Sequence, residues 1–470
     1  MQGNQGELQG VVTTGIYCRA DCVGRPKPEN VRPVRNAVSA LAQGFRPCLL
    51  CRPDRLPDSD AEPADVEVAH ALRLIAEGYL DDADTTQLAD RIGYSVRHLV
   101  RLFEQQVGAS PDFVARARRA HLARRLLDES NMAIASIAFA AGFSSVRQMN
   151  RVMRDLFGFS PSALRAKRSR GEPLAALDGG LRLRVAYAGR LNGRQTIDYL
   201  GARAIPYVEA VQDGTYRRTM RTCGFPGVVE VTDPEDGRHL SATLHLATFG
   251  SIIDEVERIR GLFATRRGGA DALRVLRRDP LLGPLVRRRP GLRMPGAWDG
   301  FETAVRIIVG QQVSVAGAST VTGRIAERFG ERIDASLPGG LKYLFPSPEV
   351  LAKAKPRGFS MPQARAETVV GFAAAVANGD IDLTRVAPLD QTVAALTKLR
   401  GMGPWSAHLI AGRVMGAADA FPASDLGLRR AAARLMGRSE PLSATELEQR
   451  AAPWRPFRAT AAAHLWMSES

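Results

Sequence analysis

No apolar run in the 470 residues reaches the ~18 that a membrane-spanning helix needs. The opening Met1-Gln-Gly-Asn-Gln-Gly-Glu7 also lacks the apolar core of an export signal. A membrane partner is therefore not expected, and the cytoplasm is the expected compartment. Acidic residues are in deficit, with 49 Asp and Glu against 64 Lys and Arg, leaving a net charge of +15. Such a surplus favours a polyanion as partner, because each neutralised phosphate releases counterions. Cysteine is scarce, and four of the five fall within the first 51 residues. What is present in quantity is core-forming material: 45% of the residues are hydrophobic, over a length that suits about three domains.

The clustered cysteines form two close pairs, Cys18-x3-Cys22 and Cys48-x2-Cys51, separated by 25 residues. That spacing suits tetrahedral zinc–thiolate coordination better than disulfides. So short a segment would draw much of its folding energy from the metal. By spacing alone the centre reads as structural. The surrounding words, Thr13-Thr-Gly-Ile-Tyr-Cys-Arg-Ala-Asp-Cys22 and Gly44-Phe-Arg-Pro-Cys-Leu-Leu-Cys-Arg-Pro-Asp54, resemble the N-terminal domain of the Ada-type DNA repair regulators. The resemblance implies one Zn2+ per chain on Cys18, Cys22, Cys48 and Cys51. It further implies that Cys18 accepts a methyl group irreversibly from a DNA methylphosphotriester. The chemistry is consistent, since a zinc-bound sulfur stays in the nucleophilic thiolate form. Methylating one thiolate makes the centre less negative towards phosphates, which is an electrostatic switch.

Residues 53–63, rich in Pro and Asp, read as a linker. Beyond them the chain repeats itself at an offset of 49–50 residues. Ala89-Asp-Arg-Ile-Gly-Tyr-Ser95 matches Ala138-Phe-Ala-Ala-Gly-Phe-Ser144, and Gly108-Ala-Ser-Pro111 matches Gly158-Phe-Ser-Pro161. Each copy has helical apolar spacing, a Gly at the turn, a Ser cap and a second helix, the marks of a helix-turn-helix. The second helices should begin near Ser95 and Ser145. They carry Arg97, His98 and Arg101, then Arg147, Gln148, Asn150 and Arg151. Arg, Asn and Gln are the side chains that read base edges in the major groove, although a solvated helix face explains any single one equally well. The doubled motif resembles the AraC-type transcription factors over residues 65–168. A zinc segment followed by such a pair is the domain order of the Ada-type regulators. Their alkylguanine methyltransferase, which needs a Pro-Cys-His nucleophile, is not expected. The last cysteine, Cys223, sits in Thr-Cys-Gly and reads as a packing residue.

From Leu181 the pattern alternates as strands do, with Gly227–Thr232 and Leu240–Leu246 following. From Trp298 it becomes helical. The chain then reaches Leu396-Thr-Lys-Leu-Arg-Gly-Met-Gly-Pro-Trp-Ser-Ala-His408, with Asp425 twenty residues beyond the Trp. Gly401 and Gly403 permit a sharp turn and a close backbone approach, and the helix opening at Pro404 aims free N–H groups at an anion. This is a hairpin able to grip a DNA phosphate. A lone Gly-x-Gly is a weak signal and a lone Asp is usually a cap. The combination, together with Phe301–Ser314, resembles the helix-hairpin-helix DNA glycosylases, specifically the 3-methyladenine DNA glycosylase II (AlkA-type) family, over residues 180–470.

That resemblance implies excision of alkylated bases by flipping them out of the duplex into a pocket. It assigns Asp425 to stabilising the developing oxocarbenium sugar or orienting the attacking water. Trp405, Tyr199 and Phe457 become aromatic pocket candidates for a cationic base. Phe457 stands where the family often has Trp, and Leu409 where it has Tyr. Gln311 and Gln312 fall on the turn that enters the minor groove, with Gln312 at the position of the family's apolar wedge. With Trp405 in the place of a Schiff-base Lys, a monofunctional enzyme is expected, and without C-terminal cysteines no iron–sulfur cluster. Carbonyls before Gly401 are expected to hold a monovalent cation, and His408 is expected to pack or face phosphate.

The expected architecture is multidomain and mainly α. It comprises a zinc domain (1–57), a double helix-turn-helix (65–168), an α+β domain (178–295) and an all-α helix-hairpin-helix domain (296–470). The expected function is a monofunctional 3-methyladenine glycosylase fused to a methylphosphotriester-sensing regulator. Its partners would be double-stranded DNA and RNA polymerase, and its state monomeric. The alternative is a regulator whose glycosylase half only senses damage or binds DNA.

Overall fold

A computed structural model describes residues 8–19, 22, 26–34, 36–48, 53, 66–76, 78–129, 132–166, 180–187, 190–222, 224–235, 239–246, 252–265, 269–333, 337–384 and 388–468. Cys51, Cys223, Arg266, Arg267 and the linker residues 54–63 lie outside them. The chain divides into two compact units. The first holds Met1–Ala188, Thr222–Phe225 and Thr243–Glu257, and the second holds Gly189–Arg221, Pro226–Ala242 and Arg258–Ser470. No helix among the described residues is long and apolar enough to cross a membrane.

In the first unit, four short strands lie in the spatial order Val31–Val34, Leu8–Val11, Ile16–Arg19, Arg46–Pro47. The helix Ala37–Ala42 packs beside them, started by Asn36, whose side-chain oxygen accepts from Ser39 N–H at 2.7 Å. Tyr17, Val34, Ala37, Ala40 and Leu41 share one buried cluster with Ala117 of the helix Pro111–Glu129. The zinc segment therefore completes its small core on the next domain, as a segment too short to bury its own must. The Asn36 amide also donates to Val107 O at 3.3 Å.

The helix-turn-helix pair forms as the repeat implies. Thr85–Ile92 ends at Gly93, whose φ of +82° is the left-handed C-cap that Gly supplies freely. Ser95 then caps Val96–Gln106, and Ser145 caps Val146–Phe157. Both hydroxyls accept from the third residue of their helix.

Between residues 181 and 245, five strands lie in the order Leu181–Ala186, His239–His245, Phe225–Thr232, Thr215–Thr222, Glu209–Gln212. The last two form a hairpin in which Glu209 faces Arg218. Its Asp213-Gly214 turn has φ of +50° and +68°, the backbone that a two-residue hairpin demands. In the second unit the helices gather on two apolar clusters. One is built around Phe301, Ile308, Phe372, Leu396 and Ile410, the other around Phe421, Leu428, Trp454 and Leu465.

Candidate active site and nucleic-acid interface

Cys18 lies on the strand Ile16–Arg19, and Cys48 follows Arg46–Pro47, the strand paired with it. The Cys48 N–H donates to Tyr17 O at 3.0 Å, and Cys22 N–H turns back to Arg19 O at 3.1 Å. The three buried sulfurs thus lie within 4.8 Å of one another, with Cys22 and Cys48 Sγ 4.0 Å apart. None forms a disulfide. Zinc–sulfur bonds of about 2.3 Å in a tetrahedron set sulfurs roughly 3.8 Å apart, so the donor set fits Zn2+. The expected fourth ligand, Cys51, is outside the described residues.

On the reading helices, Arg97, Arg101, Arg147 and Arg151 are exposed. His98 is held edge-on by Tyr94, with ring centroids 4.8 Å apart, and its Nδ1 lies 3.0 Å from Arg101 Nη2. Two candidates have local employment. Gln148 Oε1 accepts from Ser144 N–H and from Ser144 Oγ–H, both at 3.0 Å, and the Asn150 amide donates to Val146 O at 3.0 Å.

The hairpin joins Leu389–Thr397 to Pro404–Arg413. Gly401 has φ of +81°, and a Cβ there would fall 2.0 Å from Thr368 Oγ1. No other residue fits. Gly403 precedes Pro404 at the helix start, and a Cβ on it would meet nothing within 4 Å. That backbone therefore faces open space, with the first amides of a ten-residue helix beside it. The Gln311 amide donates to Gly401 O at 3.0 Å and to Ser406 Oγ at 2.9 Å, tying the following turn to the hairpin. Gln312 is exposed in left-handed backbone at φ +56°, and Val313 beside it is 41% exposed.

Asp425 caps the helix Leu426–Leu435. Its Oδ1 accepts from Leu428 N–H at 2.9 Å and from the Trp466 indole N–H at 2.9 Å, while Oδ2 accepts from the Trp405 indole N–H at 2.8 Å. Trp405 and Leu409 pack on the first apolar cluster of this unit, and Trp466 on the second. The carboxylate thus stands at their junction, clamped between two indoles. Gly427 permits the clamp, since a Cβ on it would lie 3.1 Å from Asp425 Oδ1 and 3.4 Å from Trp466 Cδ1. His408 Nδ1 accepts from Phe421 N–H at 3.2 Å and so anchors the loop leading to Asp425. Burial, then the Arg458 guanidinium, hold this imidazole below its usual pKa, consistent with a neutral acceptor.

Tyr199 and Trp466 line one cavity with Gln195, Met294 and Met467. One face of the Tyr199 ring is covered by Arg203, whose Cζ is 3.8 Å from the centroid, and Arg413 lies 5.7 Å from it. Burial pushes the phenol up, but Arg413, Arg203 and Arg306 together outweigh it and leave the pKa below the ordinary tyrosine value. Phe457 sits at the opposite end of the helix Arg458–Trp466 from Trp466, about 13 Å along the axis by the helical rise. The structure therefore brings Asp425, Trp405 and Tyr199 to Trp466 and does not bring Phe457 there.

Trp466 and Gly427 were not apparent from the sequence. A signal existed: Trp is rare here, four in all, and three of them donate to aspartates, the third being Trp454 to Asp279 Oδ2 at 2.8 Å. Arg450 also grips this Asp279 with both Nη atoms at 2.9 Å.

Four domain families match the chain. They are the metal binding domain of Ada over residues 8–54, a helix-turn-helix domain over 88–167, the AlkA N-terminal domain over 182–299, and the HhH-GPD superfamily base excision DNA repair protein over 305–456. Among relatives, the Mycobacterium tuberculosis protein named "Probable bifunctional transcriptional activator/DNA repair enzyme AlkA" is 39% identical over 460 residues, covering 97% of this chain and 91% of that one. DNA-3-methyladenine glycosylase 2 of Escherichia coli is 33% identical over 58% of this chain and 92% of its own. The bifunctional transcriptional activator/DNA repair enzyme Ada of Escherichia coli is 33% identical over 38% of this chain and 46% of its own. In fold, a 3-methyladenine DNA-glycosylase from Archaeoglobus fulgidus superposes with a TM-score of 0.52 at 24% identity, covering 60% of this chain and 97% of that one.

Proposed function

The chain belongs to the family of bifunctional transcriptional activator/DNA repair enzymes of the AlkA type, and from that premise we propose how its residues divide the work. The glycosylase half hydrolyses the N-glycosidic bond of alkylated bases such as 3-methyladenine. The observation that carries this is the Asp425 carboxylate, oriented by the Trp405 and Trp466 indoles. As the bond to the base breaks, positive charge develops on the deoxyribose, and a fixed carboxylate stabilises it. A cationic base is already a good leaving group, so water completes a monofunctional reaction. Open backbone at Gly403 grips a phosphate, carbonyls before Gly401 hold a monovalent cation, and Gln312 enters the gap that the flipped nucleotide leaves.

In the regulator half, bound zinc keeps the cysteine sulfurs as thiolates. Cys18 Sγ then attacks the methyl carbon of a methylphosphotriester. The C–O bonding pair stays on the phosphate, which leaves as the diester anion, and Cys18 becomes a thioether. The exposed arginines of the two reading helices then hold promoter DNA, with RNA polymerase as the protein recruited. The protein acts as a cytoplasmic monomer on DNA.

Release of free 3-methyladenine from alkylated DNA, by wild type and by Asp425→Asn, tests the enzyme. Activity in the wild type, lost in the variant with DNA binding retained, is expected. One observation favours the rival, a damage-sensing module without catalysis: the wedge position holds the exposed, polar Gln312. No release by the wild type would establish that rival.

A further inference from the structure

The hairpin helix Pro404–Arg413 holds the loop carrying Asp425 at two points. Trp405 and His408 stand three residues apart on it, hence on one face. The Trp405 indole N–H donates to Asp425 Oδ2, and His408 Nδ1 accepts from Phe421 N–H at 3.2 Å, four residues before that carboxylate. Between the two points the backbone closes in tight turns. Ala423 N–H donates to Phe421 O at 3.0 Å, and Asp425 N–H donates to Pro422 O at 2.8 Å. A shift of Phe421 is therefore passed directly to Asp425. Phe421 is fully buried and edge-on to Trp454, so its N–H meets no water once His408 ceases to accept, and a buried N–H left unpaired is costly.

The half-buried imidazole lies among charges from three further elements. Arg458 comes from the helix Arg458–Trp466, Glu448 from the helix Ala444–Arg450, and Asp419 from the loop ahead of Phe421. Arg458 grips Asp419 through Nε and Nη2, both at 2.8 Å, and reaches Glu448 through Nη1. Arg455 donates to Asp419 at 2.9 Å. The two carboxylates draw the ring towards its charged form, but both are already paired with guanidinium groups. Burial and then Arg458 prevail, and the ring stays neutral at its ordinary pKa. A neutral imidazole keeps one lone pair for Phe421; an imidazolium carries N–H on both nitrogens and accepts nothing.

We propose that His408 is a positioning residue for base excision: it fastens the Asp425 loop to the hairpin helix, and its protonation unfastens that loop and slows the reaction. This rests on the base-excision reading of the same site and gives that site a built-in acid limit. The proton occupies the Nδ1 lone pair and displaces the Phe421 N–H. No covalent bond within the loop forms or breaks. Trp405 still holds the carboxylate on one side, so acid loosens Asp425 rather than releasing it. The fastening is complete above the ordinary histidine pKa and is lost as pH falls through the lower value of the folded protein.

The test measures single-turnover release of 3-methyladenine from an alkylated duplex between pH 5 and 8, beside a DNA-binding titration and a thermal melt. It compares wild type, His408→Asn and His408→Leu. Asn places an oxygen acceptor at the δ position and takes up no proton in this range, whereas Leu offers no acceptor. At pH 7.5 the Leu variant should be slower by about tenfold or more, the scale on which a small misplacement of a reacting group acts, with DNA affinity retained. Asn should recover most of that loss. Towards pH 5 the wild-type rate should fall more steeply than the Asn rate, while Leu and Asn fall in parallel. Equal rates for Leu and wild type at pH 7.5, no recovery in Asn, or an Asn profile as steep as the wild type each overturn the assignment and leave base excision intact. Should Leu fail the melt, the wild-type and Asn profiles decide alone. Release from none of the three at any pH removes the excision reading itself, and this assignment with it.

Discussion

At the scale of single residues, the functional unit is a carboxylate with its donors. Asp425 receives two indole N–H groups and one backbone N–H. A hydrogen bond to a charged group contributes about 1.5–3 kcal/mol, so Trp405→Phe and Trp466→Phe should each slow base release roughly 10- to 100-fold. Gly427→Ala removes no donor, yet its methyl crowds Asp425 Oδ1 and Trp466. It should lower the rate in the same direction while leaving DNA affinity intact. Single-turnover release from alkylated DNA beside a binding titration checks all three, and a full rate in Trp466→Phe would remove the clamp from the mechanism. His464, two residues before Trp466, makes a different prediction. It is fully buried, and burial, then Arg289, bring its pKa down to about 4. Above pH 6.5 the ring is neutral in both folded and unfolded chains and adds no pH dependence. Below that the unfolded chain takes up the proton first, and stability falls by about 1.4 kcal/mol per pH unit until the folded protein also protonates near pH 4. His464→Leu should flatten that acid slope in denaturant melts taken at pH 6.5, 5.5 and 4.5.

At the scale of elements, the two reading helices show what a local signal can reveal. Ser95 and Ser145 mark their starts, and both are the caps, because a cap is a bond between residues three apart. The faces they present are harder to read. Gln148 and Asn150 look like base readers by residue type, but their amides close bonds within their own helix end, and nothing in composition distinguishes the two uses. The arginines remain, so Arg147→Ala and Arg151→Ala should each reduce the salt slope of DNA binding by about one, the signature of one lost phosphate contact. Asn150→Ala should leave that slope unchanged, and an equal drop in Asn150→Ala would return that amide to the interface. The hairpin teaches the same lesson. Its Gly401 is legible because positive φ is a local demand. The Gln311 bonds to Gly401 O and Ser406 Oγ span 90 and 95 residues, and Trp466 reaches Asp425 across 41. Contacts at such separations are fixed by packing of the two apolar clusters and leave no periodic trace.

At the scale of the whole molecule, the two units differ in what holds them together. The first contains a segment whose buried residues are three cysteines and a small apolar set continuous with Ala117 of the helix that links the two motifs. Metal binding free energy is folding free energy in such a segment, and what the zinc segment loses, that linking helix loses too. The second unit is organised on cores of Phe, Leu, Ile, Ala and Trp, with no thiol among their buried residues. Zinc removal should therefore act on one activity and spare the other. With a high-affinity chelator present, the first unit's melting midpoint should fall and promoter-duplex binding should weaken by tenfold or more, since the linking helix carries both reading motifs. Release of 3-methyladenine in the same sample should stay within about twofold, as no side chain around Asp425 depends on a thiol. Cys48→Ser should reproduce both effects without chelator, because a hydroxyl is a far poorer zinc ligand than a thiolate. Parallel loss of base release on chelation would show that the catalytic core draws its stability from the metal-bound segment.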